Sequence, residues 1–253
     1  MIAVAAMLGT AVLLAAGPTM DALDGWNRLV ALMDHRLTCD TPCTPPAIDE
    51  GSVAGGRIEV TSLTVSDDAG REMRVPNATV EYWRGAVFIP HVTLARLLDA
   101  LETEPPRQPD VLSGRITSRH GDHITVRLRV IRRTILTVVY DTDHDMTFRR
   151  QSKRIATSRS VMTRATEIVD AGSNSEHPRP AADDRGYLWK LNSYWWYEER
   201  PDGVLAVLDS LALSREVPLV IRPIAGPIIR RVAAESVTAA LQGLRDRDYS
   251  SPR

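Results

Sequence analysis

The sequence predicts an α+β fold in which a curved antiparallel sheet wraps a long C-terminal helix. From about residue 57 the chain reads as a succession of strands divided by short turns and interrupted by one short helix. It then closes on a single long amphipathic stretch, about Ile228 to Arg247. Strands joined by short turns form an antiparallel sheet, and a sheet with one apolar face has to cover it. The closing helix is the long element available for that task.

The first of these elements is a helix over Asp21 to Leu37, where Leu23, Trp26, Leu29, Val30, Leu32, Met33 and Leu37 recur at helical spacing. Thr41 to Gly56 is rich in Pro, Gly and Ser and reads as a linker. Arg57 to Val65 alternates, Asp67-Asp68-Ala69-Gly70 supplies turn chemistry, and Arg71 to Val75 completes a predicted hairpin. Thr79 to Ile89 is a further strand, and Thr93 to Leu101 a short helix. Strands are then predicted over Val111 to Arg119, His123 to Arg132, Ile135 to Arg149 and Arg154 to Val169. After a polar loop, Gly186 to Glu199 and Gly203 to Arg215 form the last hairpin, turned at Pro201-Asp202-Gly203. The closing helix carries Ile229, Val232, Ala233, Val237, Ala240, Leu241 and Leu244 on one face.

Composition narrows the function classes. The 253 residues carry a net charge of -1, which gives no pull toward nucleic acid or anionic membrane. Nearly all the basic residues are arginine, only Lys153 and Lys190 being lysine; a GC-rich genome accounts for this more simply than phosphate binding does. Residues Ile2 to Ala16 are almost wholly apolar and end at Gly17-Pro18. That run is short for a spanning helix, which needs roughly 20 residues, and fits a signal-peptide apolar region or an anchor. It lacks a positive flank, since the first basic residue is Arg28. The expectation is an exported protein, either periplasmic, secreted or held at a membrane. Cys39 and Cys43 agree with export: an even pair in such a chain favours a disulfide. Free thiols, or a zinc site to which His35 could add but which lacks a fourth ligand, are the alternatives.

Three segments carry a resemblance. Tyr82-Trp83-Arg84-Gly85-Ala86-Val87-Phe88-Ile89-Pro90, Thr137-Val138-Val139-Tyr140-Asp141-Thr142-Asp143-His144-Asp145 and Tyr187-Leu188-Trp189-Lys190-Leu191-Asn192-Ser193-Tyr194-Trp195 resemble a bacterial subgroup of the START-like, polyketide-cyclase-like (SRPBCC) helix-grip superfamily. Leu213 to Pro218 and Glu235-Ser236-Val237 continue the match in order, over about residues 75–247. The resemblance implies an internal pocket for an apolar ligand. The subgroup carries no assigned activity, so no catalytic residue and no cofactor are carried over. The domain reading is a leader or anchor over 1–17, an N-terminal helix, linker and hairpin over 18–74, and the helix-grip domain over 75–253.

Candidate site residues follow from alternation. On the aromatic strand, Trp189, Leu191, Ser193, Trp195 and Tyr197 share the more apolar face, expected to look at the closing helix. Tyr194 and Trp196 fall on the opposite face as a candidate interaction surface. Tyr140 and His144 share one face of their strand, while Asp141, Asp143 and Asp145 share the other, read as an exposed acidic face rather than a metal site. With Val237 and Leu241 from the helix, the expected ligand-binding set is Tyr140, His144, Trp189, Leu191, Ser193, Trp195, Tyr197, Val237 and Leu241. Ser158-Arg159-Ser160 with His91 or His144 offers a nucleophile and a base, but no G-x-S-x-G elbow, P-loop, G-x-G-x-x-G or H-E-x-x-H is present. The leading function is therefore binding or carriage of an apolar small molecule outside the cytoplasm. A cyclase-like or hydrolytic enzyme using the same pocket and an envelope interaction domain with a solid core are the alternatives.

Overall fold

The computed structural model describes residues 17–37, 46–133 and 137–249. The apolar run at residues 2–16 and the cysteines Cys39 and Cys43 lie outside the described residues. The elements in chain order are α1 (Met20–Leu37), α2 (Glu50–Val53), β1 (Ile58–Leu63), β2 (Ala78–Pro90), α3 (Leu94–Thr103), β3 (Val111–His120), β4 (His123–Arg133), β5 (Thr137–Arg150), β6 (Ile155–Val169), β7 (His177–Pro178), β8 (Lys190–Arg200), β9 (Gly203–Arg215) and α4 (Arg222–Arg245).

The strands build one curved sheet in the order β1-β2-β9-β8-β6-β5-β4-β3, with β7 pairing β6. Every pairing is antiparallel. Short turns set the registers: His120 pairs with His123 across Gly121, whose φ of 60° is the left-handed conformation a tight turn requires. Helix α4 runs back over the inner face of β1, β2 and β9. This is the expected α+β helix grip.

The main core lies on the inner face. Val87, Ile89, Phe148, Ala156, Tyr197, Val204, Ala206 and Leu208 from the sheet pack with Val237, Leu241 and Leu244 of α4 and with Leu94, Leu97 and Leu98 of α3. Thr93 caps α3, its Oγ1 accepting from the Arg96 amide at 3.3 Å. The outer face is covered in two patches. Ala22, Trp26, Leu29 and Met33 of α1 pack on Tyr82, Tyr194, Leu211 and Leu213. Val53 of α2 packs on Ala86, Trp196, Leu205 and Val207.

Several expectations need correction. The predicted hairpin over residues 57–75 reduces to a turn with a single bridge between Ser66 and Glu72. Strand β1 instead pairs with β2, Ile58 opposite Val87 through Leu63 opposite Tyr82, and forms an edge of the sheet. Helix α4 starts at Arg222, ahead of the predicted Ile228. Pro223 sits in its first turn, where a missing N–H costs nothing, and Pro227 forgoes one intrahelical bond in an exposed part of the helix. Tyr194 and Trp196 are buried at 3% and 4% exposure under α1 and α2, so neither is an interaction surface. The acidic face of β5 is not a bare acidic strip. Arg129 makes a two-pronged contact with Asp141, and Arg127 and Arg164 both reach Asp143. These hydrogen bonds, Arg127 foremost, hold the Asp143 carboxyl down to about 2.

Candidate functional site: the inner face of the grip

The registers line up side chains across the inner face in rows. Toward the turn joining β8 to β9, one row runs Val87, Ala206, Tyr197 and Ala156. The next runs Gly85, Leu208, Trp195, Ser158 and Phe148. The third runs Trp83, Ser210, Ser193, Ser160 and Met146. Beyond it lie Glu81, Ala212 and Leu191 on one side and His144 opposite Met162 on the other.

Burial changes along these rows. The first row and the helix residues over it are closed, Val87, Ala206, Tyr197 and Leu241 having 2% exposure or less. From the second row outward the inner face stays partly accessible at Trp195, Ser193, Ser210, Trp83, Glu81, Ala212 and Leu191. The stretch of α4 on that side behaves alike: Ile228, Ile229, Val232, Ala233 and Ser236 are only half-buried, whereas Val237 is buried. Small side chains explain the difference. Two adjacent serines and an alanine occupy places where Leu or Phe would reach the helix. At this open end the loop and first turn of α4 expose Leu219, Val220, Ile221 and Ile224.

Polar groups concentrate on the β5–β6 side. His144 is 8% exposed, and burial pulls its pKa down to about 4, so the ring is neutral at pH 7. Thr142 directs its hydroxyl hydrogen to the Leu128 carbonyl at 3.4 Å and so accepts from His144 Nε2–H at 3.0 Å. That leaves the Nδ1 lone pair facing Ser160 Oγ at 3.5 Å. Ser158 Oγ and the Tyr197 hydroxyl bond at 3.2 Å, and the Trp195 and Tyr197 rings stack at 5.8 Å. Tyr140 lies opposite Glu167. Its buried hydroxyl and the Glu167 Oε2 atom both lack a hydrogen-bond partner, and burial raises the phenol's pKa.

The expected residues therefore divide. Tyr140, His144, Leu191, Ser193 and Trp195 all face the interior at or near its open part. Tyr197, Val237 and Leu241 belong to the closed core, the last two seated over Gly85. Trp189 is misplaced by the alternation argument. It sits on a bend ahead of β8, packs against the α1 cluster, and donates its Nε1–H to Asp184 at 3.1 Å. Ser210, Trp83 and Thr142 are lining residues that the sequence reading did not assign to the site, and Ser158 and Ser160, read there only as candidate nucleophiles, line it too. Only the strand registers, which link distant segments, bring them together. A separate concavity of about 730 Å³ opens on the outer face beside Ile131, Val139, Ile168 and the loop at residues 170–176. None of the expected residues lines it.

No protein-family model matches the sequence, and no curated protein matches it. Among solved structures, a STAR-related lipid transfer protein fragment from Xanthomonas axonopodis is similar at 14% identity and a TM-score of 0.47, over 73% of this chain and 97% of its own. Human STARD10 is similar at 8% identity and a TM-score of 0.47, over 94% of this chain and 83% of its own. A Streptomyces aromatase/cyclase is similar at 12% identity and a TM-score of 0.40, over 69% and 100%. The class rests on the architecture itself, a continuous antiparallel sheet closed around its C-terminal helix. The fold is a helix grip. Its interior is closed along the first row and partly accessible beyond the second.

Proposed function

We propose that this protein binds an apolar small molecule inside the grip, between the first half of α4 and the rows headed by Trp83 and Glu81. The observation that carries this reading is the change from closed to open packing along one face. Protein interiors are otherwise filled to crystal-like density, yet Ser193, Trp195 and Ser210 remain partly accessible beneath a helix and within a sheet. Trp83, Trp195, Leu191 and Val232 give that space apolar walls. The exposed Leu219, Val220, Ile221 and Ile224 make its approach apolar as well. Tyr140, His144, Leu191, Ser193 and Trp195 are the proposed contacts from the expected set. Burying an alkyl chain at roughly 25 cal/mol per Å² supports micromolar affinity after the costs of association. The apolar run at residues 2–16 supports export, so the reading places binding outside the cytoplasm.

The test is a tryptophan fluorescence titration with fatty alcohols, fatty acids, phospholipids and polycyclic compounds, alongside native mass spectrometry of the purified protein. Saturable quenching that falls in Trp195→Phe and in Trp83→Phe, and is unchanged in Trp196→Phe, supports an interior site. A folded protein with no saturable response to any of these classes removes the reading.

One observation favours a second reading, hydrolysis by Ser160 with His144 as base. The 3.5 Å separation is long for a nucleophile and its base, and the other ring nitrogen meets a threonine hydroxyl rather than a carboxylate. Binding is the better-supported function. Covalent labelling of Ser160 by a fluorophosphonate would reverse that ranking.

A further inference from the structure

The interior carries a continuous band of serine hydroxyls. Ser160 is the register partner of Ser193, and Ser193 of Ser210, so one serine from each of β6, β8 and β9 lies side by side on the inner face. Side chains directly opposite on neighbouring strands have Cβ atoms about 5 Å apart. The band ends at Trp83, the partner of Ser210, and at His144, whose Nδ1 faces Ser160 Oγ. Each hydroxyl offers one donor and two lone pairs. Ser160 engages His144, whereas among the described residues Ser193 and Ser210 make no side-chain hydrogen bond.

The charges around the band are arranged against an anion. Four arginines of the neighbouring strands turn outward and are committed there: Arg84 to Asp209, Arg159 to Asp34, Arg127 to Asp143 and Arg129 to Asp141. Near the serines, the inner face carries His144, neutral at pH 7, and the acidic side chains Glu81 and Glu167, while Arg132 and Arg150, farther out on the same face, are held by Asp110 and Glu102. Arg179 and Arg185 reach Glu167, so these two cations are answered by an acid already in place, and Arg230 of α4 lies on the exposed side of its helix. A carboxylate laid on the serine band would be desolvated with no cation of its own.

Resting on the binding function proposed above, we propose that Ser160, Ser193 and Ser210 form a specificity site for the polar group of an uncharged, oxygen-bearing apolar ligand such as a long-chain alcohol. The site rejects the carboxylate of the same chain length. A hydroxyl guest both donates and accepts, and so can join the row of serine hydroxyls as a fourth member. A hydrocarbon guest leaves those hydroxyls without partners.

The experiment compares 1-dodecanol, dodecanoate and dodecane by calorimetry and tryptophan emission at pH 7.5. The parent should bind dodecanol about tenfold more tightly than dodecane, the worth of one or two net hydrogen bonds. It should bind dodecanoate more weakly than dodecanol. The Ser160→Ala/Ser193→Ala/Ser210→Ala variant should lose the preference for dodecanol over dodecane. If that variant fails to fold, Ser193→Ala and Ser210→Ala singly should each lower the preference. Equal affinity for dodecanol and dodecane in the parent, tighter binding of dodecanoate, or a preference unchanged by the alanine variants would each overturn the specificity site while leaving apolar binding standing. A folded parent that binds none of the three overturns the binding function itself, and the site with it.

Discussion

Val237 of α4 sits directly on Gly85 of β2. A Cβ built at Gly85 would come within 2.6 Å of Val237 Cγ1 and 2.5 Å of Leu241 Cδ1. Both partners are buried, Leu241 completely, so neither can withdraw without lifting the helix. The absence of a side chain at one position thus fixes how closely the sheet grips α4. Gly85→Ala should cost about 1–3 kcal/mol, the usual range for overpacking, and Gly85→Leu should cost more and loosen the helix. Urea unfolding measures both. A Gly85→Leu protein as stable as the parent would show that α4 is not held at this point.

The outer face depends on a buried ion pair. Asp209, at 2% exposure, accepts from Arg84 Nε at 2.9 Å, from Arg84 Nη2 at 3.1 Å and from the Tyr82 hydroxyl at 2.7 Å. Asp209→Ala leaves the Arg84 guanidinium half-buried without its partner and should cost about 3–5 kcal/mol. Removing both charges as Arg84→Met/Asp209→Leu should recover most of that loss. Thermal melts of the single and double variants decide it, and a double variant no better than Asp209→Ala would refute the assignment of the cost to an orphaned charge.

His144 makes stability depend on pH. Its folded pKa is lowered to about 4 by burial, while a histidine in an unfolded chain titrates near 6.5. Between those values the unfolded state holds the extra proton, so stability is fully present above about pH 6.5 and falls as the pH drops toward 4. The loss should approach about 3 kcal/mol. Asp143 contributes in the same direction only below its ordinary carboxylate range, since its folded pKa is about 2. Urea unfolding at pH 7, 5.5 and 4.5 should show a shallower fall for His144→Gln than for the parent; identical falls would remove His144 as the source.

The strand pattern was legible because alternation is local. Tyr140 and His144 separate from Asp141, Asp143 and Asp145 by that rule, and the structure keeps them on opposite faces. Alternation failed at Trp189, which lies on a bend just ahead of the strand, where period two no longer holds. It also misled at Trp196. The outer face is polar along β8 itself, and its cover comes from Val53, in a segment that composition reads as linker. The turn signal at Asp67 to Gly70 is real, but it forms only one bridge because β1 finds a longer partner in β2. The serine band had no sequence signature at all. Ser160, Ser193 and Ser210 stand in three separate strands, and only long-range registers make them neighbours.

Trp196 gives a direct check on that cover. It packs with Val53, Ala86, Leu205 and Val207 at 4% exposure. Trp196→Ala should cost about 3–5 kcal/mol, as large-to-small changes in cores do. A loss under about 0.5 kcal/mol, typical of surface positions, would mean that α2 does not cover the residue in solution.

The open half of the interior can be tested by filling it. Ser193 lies between Ser160 and Ser210, beside Trp195, and stays partly accessible. In a packed core, Ser193→Phe would force neighbours off their rotamers and cost about 1–3 kcal/mol or more. Over an unfilled space the ring replaces solvent and gains apolar burial, so the melting temperature should hold or rise. The same ring should occupy the volume a ligand needs and abolish the saturable quenching of Trp195. Ser210→Leu, one strand away, should act alike, whereas Ser118→Leu on the edge strand β3 should change neither property. Stability kept and binding lost, in both filling variants, is the joint result that an open grip requires. A large stability loss in both would show that the interior is already full, and the binding function would fall with it.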